Sequence, residues 1–387
     1  DLLFGSSRLN HKNNGEPIPN LDILRDVSDA DVEAIKEIQL GESETAPPET
    51  LIDSVAWFIC AAAARRHLGQ TSPTSMLIHT SHLQIHHAEM ESCIRSILGD
   101  PSLMERCKTV YERESKRLTV NTFYEQYPDY EGEPNEYPSF KELKANIKEL
   151  LSQLGYIKTD QNVKPVYNTG LHLCVDNSSY KKGLNDEGEH VRLIYPSKSE
   201  LRDLGFSPAF IVIGGATLSR GLTLEGLVST YFLRLTKLGD SLMQMGRWFG
   251  YRQNYELLPR IWMTKNAIEQ FSYLAEVEAD LRQELERYDS GSSPQDFSPK
   301  ILSWAPAKLL RITAANKMQA AVNSEWDFSG ISNETTMFPL DEETLKDNIR
   351  ETENFLNNQM TDLETSDERA LVFRDVEFEL IADYLRK

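Results

Sequence analysis

Residues 209–234, AFIVIGGATLSRGLTLEGLVSTYFLR, place two short apolar runs on either side of a glycine-rich segment. "AFIVIGG" shows no polar alternation, so it reads as a strand buried on both faces. "LVSTYFLR" has the same character. Working outward, the stretch 239–252, GDSLMQMGRWFGYR, reads as a helix, "RIWMT" as a strand and "NAIEQFSYLAEVEADLRQELERY" as a long helix. Toward the N-terminus come the strand "KPVYNTGLHLCVD", the short helix "SKSELRDLG" and the strand "TSMLIHT". "TSMLIHT" lies between the helices "PPETLIDSVAWFICAAAARRHLG" and "HLQIHHAEMESCIRSILG". In the first of these, Leu51, Val55, Phe58 and Ala62 fall at helical spacing, and Gly69 stands where a C-terminal cap belongs. Apolar strands alternating with helices predict an α/β fold, a parallel sheet covered on both faces.

The remaining segments set the expected domains. Residues 1–50 are rich in Pro, Asn and Gly and read as an N-terminal arm or linker, with one helical candidate near "SDADVEAIKEIQL". Residues 51–290 carry the sheet, with 99–160 as a mostly helical insertion on its edge or face. "DSGSSPQDFSP" marks a boundary, and 291–387 reads as a smaller C-terminal α+β domain. That domain holds a strand-like "AKLLRIT" and helices at 342–358 and 375–386. The chain opens abruptly, as expected of a piece of something longer.

Composition narrows the class. The 387 residues are 40% hydrophobic and 26% charged, the balance of a soluble globular protein. No apolar run approaches a membrane span and no signal peptide opens the chain. Cys60, Cys93, Cys107 and Cys174 stand far apart, which fits reduced thiols in a cytoplasm. A net charge of −19 argues against a nucleic-acid coat protein. Locally the sign reverses. Between 202 and 265 the basic residues are Arg202, Arg220, Arg234, Lys237, Arg247, Arg252, Arg260 and Lys265, against Asp203, Glu225, Asp240 and Glu256.

Ligands of open parallel sheets sit at the C-terminal ends of strands. One candidate loop is "GGATLSRGLTLEG". Its Gly214, Gly215, Gly221 and Gly226 free the backbone to curl around an anion, while Ser219 and Arg220 offer donors. A tight turn is the plainer reading of such a loop. The second candidate is the helix from Gly239. At 100° per residue Leu242, Met245 and Phe249 face the core, and Gln244, Arg247 and Tyr251 face a cleft. Gly250 ends or distorts that helix, leaving the direction of Arg252 open. A solvated basic face is the plainer alternative here. Guanidinium forks at neighbouring strand ends suit phosphate oxygens. His79, at the end of "TSMLIHT", is expected to face the same cleft. His82 and His86 stand at zinc-ligand spacing without a visible third ligand, so no metal is assigned.

The residues "FIVIGGATLSRGLTLEGLVSTYFLR" and "GDSLMQMGRWFGYR" resemble the signature of Z1 domains. These accompany a DEAD-type helicase lobe in the motor subunits of ATP-dependent restriction endonucleases. The resemblance runs from "LIDSVAWFI" through "ANKMQAA" and is most specific over 209–263. In superfamily 2 terms "TSMLIHT" resembles motif IV, "SRGLT" motif V and "QMGRWFGYR" motif VI. Thr223 stands where motif V usually has aspartate. Gln244 is one place too close to Gly246, Arg252 is two places too far, and Arg247 keeps the register.

The resemblance implies a RecA-like second helicase lobe that closes on ATP and Mg held mainly by a DEAD-type N-terminal lobe. It implies movement along double-stranded DNA through backbone contacts, and activation of a partner nuclease subunit, all in the cytoplasm. Arg247 would be the arginine finger, with Arg252 as a second motif VI arginine and Gln244 positioning the finger. Gly214, Gly215, Ser219, Arg220 and Gly221 would link nucleotide state to DNA, and His79 would sense or couple it. No G-x-x-x-x-G-K-[ST] run occurs, so this chain alone is expected to be inactive as an ATPase. "SDERA" at 366–370 matches a DExx box in letters only, having no buried strand before it. No H-x-K, HNH or PD-(D/E)xK arrangement stands out, which leaves a nuclease in its own right unsupported. The rival reading is a non-catalytic docking module that holds the subunits of a restriction complex.

Overall fold

In the strand Ala209–Gly214, Ala209, Ile211 and Ile213 enter one hydrophobic cluster while Phe210 and Val212 enter another. This period-two division explains the unbroken apolar run, because both faces of the strand are buried. The computed structural model describes residues 21–275 and 277, except 43–44, 82, 129, 177–182, 215–223, 235–238 and 250–253. Beyond these it describes 342–358, 363–367, 370–373, 379, 381–382 and 384.

The elements begin with β1 (Leu24–Asp26), α1 (Asp29–Gln39), α2 (Glu49–His67), β2 (Thr74–His79) and α3 (Gln84–Gly99). Three helices follow, α4 (Leu103–Arg117), α5 (Val120–Gln126) and α6 (Phe140–Leu151), then β3 (Leu154–Gly155), β4 (Lys158–Thr159) and β5 (Pro165–Val166). Next come β6 (Leu171–Asp176), α7 (Lys198–Leu204), β7 (Ala209–Gly214), β8 (Leu227–Phe232), α8 (Gly239–Gly246) and β9 (Arg260–Met263). A helix over 265–275, α9, completes the larger of two compact units. The smaller unit contains α10 (Glu342–Asn358) and the antiparallel pair β10 (Leu363–Asp367) and β11 (Ala370–Phe373).

The main sheet has seven strands in the order β1-β9-β8-β2-β7-β6-β3, every pair parallel. This is the α/β parallel sheet that the alternating pattern predicts, and it is consistent with the RecA-like fold that the resemblance implies. One face packs on α1, α2, α3, α4 and α6, with α2 buried along most of its length. The other face packs on α8, α9 and residues such as Phe123, Ile157 and Leu193. The caps follow the sequence. Gly69, just past α2, has φ of 70°, and α7 opens with a Ser197–Glu200 capping box and closes at Gly205, φ 68°.

Residues 21–39 are not an arm: Leu24–Asp26 forms the edge strand beside β9, and α1 packs against the core. The stretch 99–160 is mostly helical as expected, with α4 and α6 packed on α2 and Leu154–Gly155 added as an edge strand of the sheet. The small unit contains an antiparallel strand pair that the sequence did not reveal, and Ser366 and Asp367 of "SDERA" end its first strand while Ala370 opens its second. The helix expected at 342–358 is present. The boundary at 290/291 and "AKLLRIT" lie outside the described residues.

Candidate functional site

The C-terminal ends of β2, β7 and β8 meet at His79. This last residue of β2 is fully buried, and its Nδ1–H donates to the Gly214 carbonyl at the end of β7, 2.7 Å away. A carbonyl can only accept, so Nδ1 carries the proton and Nε2 presents its lone pair. Burial, partly offset by the bond to Gly214, brings the His79 pKa down to about 3 and keeps the ring neutral. Its backbone carbonyl accepts from Leu233 and Arg234 just past β8. Nη1 of Arg234 lies 3.5 Å from His79 Nε2. Phe232 and Trp248 flank the imidazole at centroid distances of 5.3 and 5.4 Å.

Trp248 belongs to the segment after β8. Here α8 ends at Gly246 and the chain tightens into a 3₁₀ turn over Arg247–Phe249. Leu242, Met245 and Phe249 are buried, as the helical spacing predicts, and Gln244 is exposed. The helix stops earlier than Gly250. Glycine is a poor helix residue, and a Cβ on Gly246 would come within 3.3 Å of the Phe271 ring. In a 3₁₀ turn residues advance by about 120° rather than 100°. Uniform helical projection therefore does not carry through Arg247 to Tyr251. The backbone of Arg247 opens the turn. Its side chain, and residues Gly215, Ser219, Arg220, Gly221, Tyr251 and Arg252, lie outside the described residues.

Further corrections concern position. The loop after β7 and the segment after β8 are not at adjacent strand ends, because β2 stands between β7 and β8. His79 does not face an open cleft, because residues of all three strand ends cover it. Gly226 lies at the opposite end of the sheet, where its carbonyl accepts from Ser75 N at the start of β2. Its φ is 59°, and an added Cβ would sit 1.8 Å from the Pro73 carbonyl oxygen. This glycine serves a close approach beside the buried Arg65, not an anion.

Arg260 also leaves the basic segment's exposed set. It is fully buried, and its Nε donates to Glu114 Oε2 at 3.0 Å, while Arg25 Nε donates to the same oxygen at 2.8 Å. Arg202 is exposed, and Lys265 lies 3.8 Å from Asp26. Among the histidines, His86 Nδ1 is 2.8 Å from Ser81 Oγ and His87 Nε2 donates to the Ser81 carbonyl at 3.1 Å. His82 lies outside the described residues. Among the described residues no three His, Cys, Asp or Glu side chains gather as metal ligands. All four cysteines are buried thiols outside any disulfide.

Two residues were not singled out from sequence. Arg234 is half-buried and has no carboxylate partner among the described residues. Trp248 is 3% exposed and its Nε1–H has no acceptor among the described residues. An arginine directly past an apolar strand, in "YFLR", was the available signal for the first. For the second, nothing in the sequence separates a satisfied indole from an orphaned one.

A seven-stranded parallel sheet covered by helices on both faces is an α/β fold consistent with a RecA-like lobe. Residues 50–309 match the family model for the Z1 domain, more than half of the chain. The chain belongs to the Z1 domain family. Comparison with curated proteins and with solved structures gives no match. No helix among the described residues is long and apolar enough to cross a membrane.

Proposed function

We propose that this chain is the second motor lobe of a superfamily 2 helicase-like ATPase. It couples ATP hydrolysis to movement along double-stranded DNA and activates a partner restriction nuclease. One observation carries the reading: the segment with Gln244 and Arg247 and the strand end at Gly214 flank the same central strand. Strand spacing of about 4.8 Å puts segments one strand apart within reach of one nucleotide's phosphates. The Z1 membership supports the same reading.

The residues present fit a phosphate-bearing ligand, because Arg234 spends only one contact on His79 and the Trp248 Nε1–H has no acceptor among the described residues. They gather no carboxylate cluster for Mg among the described residues, so the reading assigns the metal to the DEAD-type lobe. ATP supplies the transferable phosphoryl group when bound. Arg247 stabilises the charge developing on it, Gln244 positions Arg247, and Gly214, Gly215, Ser219, Arg220 and Gly221 report nucleotide state to the DNA backbone. Arg202 and the other basic residues of 202–265, without Arg247, Arg252 and Arg260, contact DNA phosphates and carry little sequence information.

The test is ATP turnover by the intact subunit with and without duplex DNA, alongside DNA binding across a salt series. DNA-stimulated turnover and steeply salt-dependent, sequence-blind binding are expected. Turnover by this 387-residue chain alone would overturn the two-lobe arrangement. A subunit that assembles with the nuclease yet never hydrolyses ATP would favour the docking module.

A further inference from the structure

Just past β8 stands a cation with no counter-ion among the described residues. Arg234 lies two residues past Phe232, and burial pulls its pKa below the ordinary guanidinium value. Among the described residues its one side-chain hydrogen bond is the contact to His79 Nε2, at 3.5 Å a long one. A guanidinium carries five N–H donors in a fixed fork. The rest of that fork meets no protein acceptor among the described residues. The imidazole is neutral and offers one lone pair, so it orients the arginine without neutralising it.

Trp248 borders the same imidazole, edge-on at 81°. A buried indole N–H normally finds a partner, and one left orphaned calls for a ligand or water. Two unsatisfied donors, one of them charged, therefore stand against one buried histidine. They do so at the strand ends where parallel sheets hold ligands.

We propose that Arg234 and the Trp248 Nε1–H form a binding site for a phosphate oxyanion, with His79 as the residue that positions Arg234. A planar fork matches phosphate oxygens in paired hydrogen bonds, and the indole supplies a further neutral donor. The phosphate belongs either to a nucleotide or to a nucleic-acid backbone. The inference deepens the motor reading by naming a ligand contact, but stands on the geometry around His79 alone.

The experiment is calorimetric titration of the 387-residue chain with inorganic pyrophosphate, with acetate at matched ionic strength as control. The wild type is expected to bind pyrophosphate and not acetate. Arg234→Gln should weaken binding about tenfold or more, as expected for a lost charged hydrogen bond. Trp248→Phe keeps the ring and should weaken it less. Arg234→Lys keeps the charge without the fork and should fall between Arg234→Gln and wild type, which guards against a Gln variant that fails to fold. Competition by ATP assigns the phosphate to a nucleotide, and competition by duplex DNA assigns it to a backbone. Either result supports the site. No pyrophosphate binding by the wild type, or equal binding by folded wild type and Arg234→Gln, overturns it. That failure leaves the motor reading standing, because ATP turnover of the intact subunit tests it separately.

Discussion

His79 and Gly214 are the last residues of two adjacent parallel strands, and a 2.7 Å hydrogen bond from imidazole to carbonyl joins them beyond the backbone ladder. The bond holds the carbonyl of Gly214 in place. It also fixes which nitrogen of the ring faces Arg234. A single neutral side chain thus sets the geometry of two strand ends that sequence places far apart.

The depressed His79 pKa makes stability depend on pH. Between the ordinary value of 6.5 and about 3, the unfolded chain binds a proton that the folded chain refuses. Stability from this group is full above the upper value and is lost as pH falls toward the lower one. The slope approaches ~1.4 kcal/mol per pH unit. His79→Asn removes the titration while keeping an amide donor for the Gly214 carbonyl. Urea unfolding at about pH 7.5 and about pH 5 should show the gap between wild type and variant shrinking on acidification. His172, also lowered by burial, is common to both proteins and cancels. A constant gap would mean that His79 titrates normally.

Glu114 should be the most costly carboxylate to neutralise. Burial alone would raise its pKa, but the hydrogen bond and charge of Arg25, reinforced by Arg260, bring it down to about 2. Glu114→Gln leaves two buried guanidiniums facing each other. The expected loss is ~3–5 kcal/mol, the range for breaking a buried pair. Its contribution is present above the ordinary 4.5 and fades as pH drops toward about 2, a lower window than that of His79. Denaturant unfolding of the two proteins at neutral pH measures the difference.

Glycine substitutions should separate conformation from contact. At Gly205 (φ 68°) an added Cβ meets nothing within 4 Å, so Gly205→Ala should cost only the left-handed backbone term, ~1–2 kcal/mol. At Gly226 the same methyl would strike the Pro73 carbonyl and lie 2.3 Å from Arg65 Nη1. Backbone must move there, and Gly226→Ala should cost more than about 3 kcal/mol. Similar melting temperatures for the two variants would contradict this account.

The motor reading orders the motif VI arginines. Arg247→Ala in the intact subunit should lower ATP turnover by ~10³–10⁵ while leaving ATP binding largely intact. Arg247→Lys should restore little, because an ammonium lacks the planar fork. Arg252→Ala should show the smaller defect. Steady-state turnover of the three variants settles the order, and the reverse ranking would move the finger to Arg252.

The central strands were readable because burial on both faces forces continuous apolar runs, as in "AFIVIGG" and "LHLCVD". β1 and β3 were not, since "LRD" and "LG" are too short to show a period. In the site, the buried Leu242 and Met245 and the exposed Gln244 followed from helical spacing. The fates of arginines did not. Arg260 and Arg234 look alike in sequence, but Glu114, 146 positions away, takes the first into the core while no described carboxylate meets the second. Glycines behaved likewise: Gly214 and Gly226 read as one flexible loop, yet they sit at opposite ends of the sheet.

The edge strand Leu24–Asp26 has a further consequence, because it lies outside residues 50–309 that match the family. A truncation beginning at residue 50 would strip β9 of its outer neighbour and remove Arg25 from Glu114. It would bare a row of backbone donors and acceptors, an invitation for another chain to pair there. The cooperative folding unit is therefore wider than the family's shared segment, and a domain trimmed to that segment should self-associate through the vacated edge.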